Sequence, residues 1–201
     1  MAKAKRTWDT VAVIGVGLIG GSIGMAVRQR GLARRVVGIG RRAKSLAAAR
    51  RCGAVDGTST DIATGVADAE LIIVCTPVDR IVEHTQQAAS ACRPGAILTD
   101  AGSTKASIVS QLDRLEDSEA QFIGSHPLAG SEKTGCENGD ADLFVDRTVV
   151  ITPTRRCKPA DVNVLSEFWT ALGMNVVRMT PQAHDAALAV TSHLPHAVAS
   201  A

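Results

Sequence analysis

Short apolar runs alternate with amphipathic segments of helical length along most of the chain. The run at 71–75, Leu-Ile-Ile-Val-Cys, is continuously apolar, which is typical of a strand buried on both faces of a parallel sheet. Strands that alternate with helices at this spacing predict βαβ units and a parallel, doubly wound, Rossmann-like α/β sheet. The pattern predicts strands at 10–14, 36–39, 71–75, 96–99, 122–124, 149–151 and 176–179, and helices at 19–30, 43–52, 62–66, 79–91, 105–115, 160–172 and 181–201.

Two polar stretches, 56–61 and 125–139, lack either period and are predicted to be irregular. Asp79 is predicted to cap the helix that follows it. The last helix is almost wholly apolar from residue 186 onward, so it needs partners on several sides. We therefore expect a dinucleotide-binding domain over 1–180. Residues 181–201 would then be the first helix of an all-helical domain that is truncated here.

A glycine turn follows the first predicted strand and opens the first predicted helix. Gly15, Gly17 and Gly20 form the Gly-x-Gly-x-x-Gly pattern in the strand–turn–helix context of a dinucleotide fingerprint. The glycines allow the tight turn, the approach of a pyrophosphate and the close packing of helix on strand. The backbone at Leu18 and Ile19 then faces the phosphates from the helix N-terminus. The alternative is a glycine-rich turn in some other α/β protein.

The second predicted strand ends in Gly40, Arg41 and Arg42, where NAD-binding proteins carry an acidic residue for the ribose hydroxyls. No carboxylate is present to reject a 2′-phosphate, and two guanidinium groups can hold one. The sequence therefore favours NADP over NAD. The alternative is a solvated basic face, because the surrounding region is rich in arginine at positions 28, 30, 34, 35, 50 and 51.

The amino-acid composition argues against several classes of protein. The 201 residues are 45% hydrophobic and 21% charged with a formal net charge of +2, and aromatic residues make up 2%, so nothing indicates nucleic-acid binding. The basic residues at 1–6 lack the apolar stretch of a signal peptide, no apolar run approaches membrane-spanning length, and the five cysteines have no paired spacing. We expect a reduced, cytoplasmic enzyme. The lack of tyrosine excludes dehydrogenases that use a tyrosine as their acid.

Three further loops are expected where predicted strands end, at the edge where ligands bind. Cys75, Thr76 and Pro77 would line the ribose side of the cofactor, with Gly102 beside them. Residues 100–105 are also compatible with a simple helix N-cap. His126 follows a strand end, where an imidazole can take a hydroxyl proton while hydride leaves the same carbon. A surface histidine is the alternative.

His193 and His196 share one face of the last predicted helix. Metal binding together with His184 or Asp185 is one interpretation, although no third ligand has convincing spacing, and two buried core histidines are another. Glu132 and Asp185 are candidates to pair with a basic residue that closes the site. We expect no metal.

Three stretches together resemble the prephenate/arogenate dehydrogenase family: HPLAGSE at 126–132, DAGSTK at 100–105 and SHLPH at 192–196. The resemblance implies oxidative decarboxylation of a cyclohexadienol, prephenate or arogenate, with hydride passing to NADP or NAD. It implies that His126 is the general base and that Ser103 positions the ring hydroxyl beside the nicotinamide. Ser131 would lie near the substrate, and His193 and His196 would bind its anionic groups.

The resemblance also implies a homodimer built by a helical domain, which in the family supplies an arginine for the ring carboxylate. Two other functions remain open. A β-hydroxyacid dehydrogenase or imine reductase shares the glycine turn but uses a lysine or an acid on a following helix. A regulatory module that senses NAD(P) without chemistry would bind the cofactor only.

Overall fold

The computed structural model describes residues 7–115 and 118–189. Its larger sheet has six parallel strands in the order β3-β2-β1-β4-β5-β6, the order of a dinucleotide-binding fold. The predicted doubly wound sheet is therefore confirmed. The strands are β1 (Trp8–Ile14), β2 (Ala33–Ile39), β3 (Gly57–Ser59), β4 (Leu71–Val74), β5 (Ile97–Asp100) and β6 (Gln121–Phe122).

Helices follow the strands and cover both faces of this sheet. Alternate residues of the central strands enter two separate cores: Val11 and Ile73 pack into one, Ala12 and Ile72 into the other. Burial on both faces explains why these strands read as continuous apolar runs. The helices are α1 (Leu18–Gln29), α2 (Ala43–Arg51), α3 (Ile62–Val66), α4 (Val78–Ala89), α5 (Ala106–Leu112), α6 (Pro159–Ala171) and α7 (Pro181–Leu188).

A second sheet departs from the expected pattern. It contains β7 (Gly124–Pro127), β8 (Thr148–Thr152) and β9 (Asn175–Arg178), and β7 runs antiparallel to β8. The single strand predicted at 122–124 is wrong, because the chain leaves the large sheet after Ile123, whose N–H still bonds the Leu98 carbonyl at 2.9 Å. Gly124 begins the new strand pair in close contact with β8: a Cβ there would lie 2.6 Å from Thr152 Oγ1.

Two smaller predictions also differ from the structure, and a third is tested only in part. The polar stretch 56–61 contains β3, an edge strand whose register against β2 is set by backbone pairing rather than by apolar side chains. Asp79 does not cap α4, since Pro77 occupies the N-cap and Asp79 lies inside the first turn. The predicted final helix is present as Pro181–Leu188, and its remainder from residue 190 lies outside the described residues. No helix within the described ranges has the length and apolar character needed to cross a membrane.

Gly20 offers a test of the packing between α1 and the glycine turn. An added Cβ would lie 2.1 Å from the Gly15 carbonyl oxygen, and backbone cannot swing aside as a side chain can. We expect Gly20→Ala to lower the free energy of unfolding by about 1–3 kcal/mol or more, despite the better helix propensity of alanine. Gly17→Ala is the matched control, because nothing lies within 4 Å of its Cβ position. Urea unfolding should show Gly17→Ala within about 1 kcal/mol of the parent, and equal losses would contradict the packing argument.

Candidate active site

The glycine turn lies between β1 and β4, where the strand order reverses. Gly15 has φ +94°, and a Cβ there would lie 2.7 Å from the Cys75 carbonyl oxygen, so the position requires glycine. The Cβ position of Gly17 points instead into open space at the start of α1. No acidic residue occupies the first turn of α1, and Gly17 makes no side-chain cap. The turn therefore presents helix N–H groups to a space that suits an anion.

The loop after β4 borders this turn. Cys75 N–H bonds the Ile14 carbonyl at 2.7 Å, and Thr76 Oγ1 lies 3.1 Å from His84 Nδ1, a partner that the sequence did not indicate. Burial of the ring lowers the pKa of His84, with Arg80 and Arg41 adding to the effect. Burial, with Asp100 nearby, raises the pKa of the Cys75 thiol, which therefore remains protonated at neutral pH.

A buried ion pair holds the loop after β5 in place. Asp100 and Lys105 are both fully buried, and Lys105 Nζ contacts Asp100 Oδ2. The same oxygen accepts the Gly102 N–H at 2.9 Å, while Oδ1 accepts the Ser125 N–H at 3.1 Å. The carboxylate thus fixes both ends of the loop that carries Ser103 and also the strand that carries His126.

His126 lies within β7 and not on a loop, which corrects the predicted irregular stretch. Its neighbour Ser125 is fully buried and bonds Thr99 Oγ1 at 2.7 Å and Trp169 Nε1 at 3.1 Å. The segment after β7 returns to the glycine turn, since the Cβ position of Gly130 lies 3.9 Å from Ile19 Cδ1. His126 and the glycine turn therefore belong to the same edge of the molecule.

A second imidazole holds the His126 ring. His184 on α7 is fully buried, and its Nε2 lies 2.9 Å from His126 Nδ1. On its other side, His184 Nδ1 lies 2.7 Å from Asp185 Oδ1. Asp185 also accepts the N–H groups of Lys105 at 2.8 Å and of Ala106 at 2.9 Å. The three side chains form a continuous hydrogen-bonded row.

The carboxyl group of Asp185 is the ionised end of this row. Burial alone would raise its pKa and is the largest single effect, yet the pKa lies below its ordinary value. The Ala106 N–H, the His184 ring and the Lys105 N–H together outweigh burial, because each donates to the charged form. Asp185 therefore carries its negative charge at neutral pH.

The remaining candidate residues differ in exposure and in whether the structure describes them. Ser103 is exposed beside buried Gly102, and Ser131 and Glu132 are exposed on the segment after β7. His193 and His196 lie outside the described residues. Over 7–115 and 118–189, no three metal-ligating side chains form a cluster that could hold an ion. Sequence reasoning missed the His126–His184 contact, which joins residues 58 positions apart.

Arg41 and Arg42 are exposed between the end of β2 and the start of α2. Neighbouring arginines are engaged elsewhere: Arg28 with Asp56, Arg30 with Asp142 and Arg34 with Asp9. Among the described side chains, neither Arg41 nor Arg42 has an ion-pair partner. Two exposed guanidinium groups therefore lie at the end of β2 without an ion pair to a described side chain.

Residues 23–178 match the family described as "Prephenate dehydrogenase, nucleotide-binding domain". The chain belongs to this family. It is 33% identical to the prephenate dehydrogenase of Bacillus subtilis over 96% of its own length and 52% of that protein's length. The chain therefore spans about half of this family member.

Solved structures of family members have the same fold. The prephenate dehydrogenase of A. aeolicus, in complex with hydroxyphenyl propionate and NAD+, aligns with a TM-score of 0.89 and 30% identity, covering 95% of this chain and 66% of that one. The arogenate dehydrogenase of Synechocystis aligns with a TM-score of 0.85 and 32% identity, over 92% of this chain and 65% of that one.

The buried ion pair gives a direct test of how this family domain fixes its loop. Lys105→Met keeps the stem but leaves the Asp100 carboxylate buried without its counter-charge. We expect the free energy of unfolding to fall by about 3–5 kcal/mol, measured by urea denaturation. Exposed Lys44→Met is the control and should change stability by no more than about 0.5 kcal/mol. A Lys105→Met loss as small as that of the control would contradict a structural role for the pair.

Proposed function

We propose that this chain is the nucleotide-binding part of a prephenate or arogenate dehydrogenase, an oxidoreductase of tyrosine biosynthesis. The observation that carries the proposal is the position of His126, held by His184 at the edge that also carries the glycine turn. Membership in the family and the names of its relatives support the same reaction. The substrate is a cyclohexadienol with either a pyruvyl or an alanyl side chain.

The glycine turn fits a nicotinamide dinucleotide. Open space over Gly17 leaves room for a pyrophosphate, and the N-terminal N–H groups of α1, at Leu18 and Ile19, face it. Cys75, Thr76 and Pro77 border the ribose side, with Gly102 next to them. A bound nicotinamide ring supplies the hydride acceptor.

His126 and Ser103 carry the chemistry in this proposal. As hydride leaves the carbon that bears the ring hydroxyl, that carbon becomes electron-poor and the hydroxyl becomes acidic. His126 takes the hydroxyl proton, Ser103 positions the hydroxyl, and the C–C bond to the ring carboxylate breaks to release CO2 and an aromatic ring. Ser131, His193 and His196 are proposed to contact the substrate.

Two other functions fit less well. A β-hydroxyacid dehydrogenase or imine reductase needs a lysine or an acid facing its substrate, whereas Lys105 is fully buried against Asp100. A cofactor-sensing module needs no imidazole row behind His126. The ordered row of His126, His184 and Asp185 is a reason to prefer a catalytic role.

For the cofactor we propose a preference for NADP. Arg41 and Arg42 are exposed at the end of β2, where a ribose 2′-phosphate would lie, and they have no ion-pair partner within the described part of the chain. This arrangement differs from that of Arg28, Arg30 and Arg34, which are paired.

The proposal extends to the organisation of the whole protein. We propose a nucleotide-binding domain over 1–180 and a helical region beginning at 181, assembled as a homodimer in the cytoplasm. Thr180 caps the new helix through the Ala183 N–H, which supports a boundary at this point. Light scattering of the full-length gene product measures the assembly directly.

Replacing His126 tests the proposed reaction. His126→Asn keeps a polar side chain of similar reach but removes the base, so kcat should fall about 10²- to 10⁴-fold. Turnover of prephenate and of arogenate with each cofactor is measured in the full-length gene product. Cofactor affinity, measured by fluorescence titration, should stay within about twofold of the parent, because His126 does not hold the dinucleotide. Undiminished turnover in His126→Asn would contradict the proposed role, and an inactive parent protein would favour the sensor.

Replacing Arg41 tests the cofactor preference. Arg41→Ala removes a charge-assisted contact to the 2′-phosphate, so the Kd for NADP+ should rise about 10- to 100-fold while that for NAD+ changes little. Arg34→Ala is the matched control, since Arg34 pairs with Asp9. Calorimetric titration of the parent and of both variants with each cofactor measures the six dissociation constants. Equal weakening of both cofactors by Arg41→Ala would count against the preference.

A further inference from the structure

Chemistry determines which atom donates in each hydrogen bond of the row formed by His126, His184 and Asp185. His126 Nδ1 and His184 Nε2 are 2.9 Å apart, and His184 Nδ1 and Asp185 Oδ1 are 2.7 Å apart. An ionised carboxylate can only accept hydrogen bonds. The proton between Asp185 and His184 must therefore reside on His184 Nδ1.

The state of one ring then determines that of the next. A neutral imidazole carries one N–H and one bare nitrogen, so a His184 ring protonated on Nδ1 has a bare Nε2. That bare nitrogen must accept from His126 Nδ1. His126 is consequently protonated on Nδ1, and its Nε2 carries the lone pair. The carboxylate of Asp185, at the other end of the row, thus decides which nitrogen of His126 acts as the base.

We propose that His184 and Asp185 are positioning residues that hold His126 in the tautomer with Nε2 unprotonated, ready to accept the substrate's hydroxyl proton. This inference rests on the proposed function and assigns residues beyond it. In the step itself, the O–H bond of the substrate breaks and an N–H bond forms at His126 Nε2. The proton on Nδ1 remains there, shared with His184.

The row is anchored at its far end. Asp185 accepts the backbone N–H groups of Lys105 and Ala106, where α5 begins, so its carboxylate is held independently of His184. His184 is fully buried and its ring meets that of His126 edge to face, with centroids 5.1 Å apart and planes at 67°. These contacts restrict both rings to one orientation.

If the hydrogen bond between the two rings ran in the opposite direction, the expected tautomer of His126 would differ. If His184 carried protons on both nitrogens, it would donate to His126 Nδ1, and the His126 proton would then reside on Nε2. That arrangement would block the base. The two polarities differ in one observable, the nitrogen of His126 that bears the proton.

The test reads that nitrogen directly in the full 201-residue chain. The protein is labelled with ¹⁵N-histidine and studied by NMR at pH about 8.5, well above the ordinary imidazole pKa of about 6.5. Single substitutions assign the five histidines. We expect His126 to show a protonated Nδ1 and a bare Nε2. A proton found on Nε2 of the parent protein would overturn the proposal.

Three variants probe the row. His184→Leu removes the acceptor, and His126 should shift toward the Nε2–H tautomer that free histidine side chains favour. His184→Gln is the matched control, because its amide oxygen can accept from His126 Nδ1 and should keep the proton there. Asp185→Ala removes the carboxylate that fixes the proton on His184 Nδ1, so it should also shift His126 toward the Nε2–H tautomer. The Asp185 side chain is 32% exposed, so water can satisfy the two backbone N–H groups that it leaves. An unchanged tautomer in both His184→Leu and Asp185→Ala overturns the proposal, and if His184→Leu does not fold, Asp185→Ala decides alone.

Kinetics separate this inference from the proposed function. In the full-length gene product, kcat should fall about 10- to 100-fold in His184→Leu with KM nearly unchanged, the loss typical of removing a partner that orients a functional histidine. His184→Gln should recover most of that loss. Loss of turnover in His126→Asn without a tautomer shift in His184→Leu would refute the positioning role of His184 and Asp185 but not the proposed function. Full turnover in His126→Asn would refute the proposed function, whatever the tautomer.

Discussion

The buried pair of Asp100 and Lys105 fastens the parts of the candidate site to one another. Removing two charges from water is costly, and the cost is offset only where geometry and further hydrogen bonds satisfy both groups. Asp100 meets that condition with Lys105 Nζ and the N–H groups of Gly102 and Ser125. Lys105 also donates its backbone N–H to Asp185. The Ser103 loop, the His126 strand and the His184 helix are therefore all joined to this ion pair, the first two through Asp100 and the third through Lys105.

Because β7 leaves the parallel sheet and pairs with β8, His126 lies on a strand, where its backbone is fixed. A histidine on a loop would lose much freedom whenever it acted, whereas a strand residue has lost that freedom during folding. Ser125 fixes the strand from behind through Thr99 on β5 and Trp169 on α6. Positioning from rigid elements is what a proton transfer requires, because small misplacements of the base cost rate.

The main sheet and the glycine turn could be predicted from the sequence, because their signals are local. Leu71–Val74 is apolar on both faces, and Gly15 and Gly20 occupy positions where the backbone leaves no room for a Cβ. The second sheet could not be predicted, since the apolar run at 122–123 is short and the pairing of β7 with β8 joins segments that are distant in the sequence. The contact between His126 and His184 joins distant segments and depends on packing of α7, which no local pattern encodes.

The two carboxylates near His126 have different electrostatic consequences. Asp100 is fully buried and its charge is matched by Lys105, so it has little capacity to offset a further positive charge. Asp185 is part-exposed, and within the described residues it pairs with no lysine or arginine; its partners are His184 and two backbone N–H groups. In the proposed reaction, the positive charge created when His126 accepts a proton is compensated by Asp185, through His184. The same carboxylate that orders the rings thus also favours the charged state that proton transfer creates.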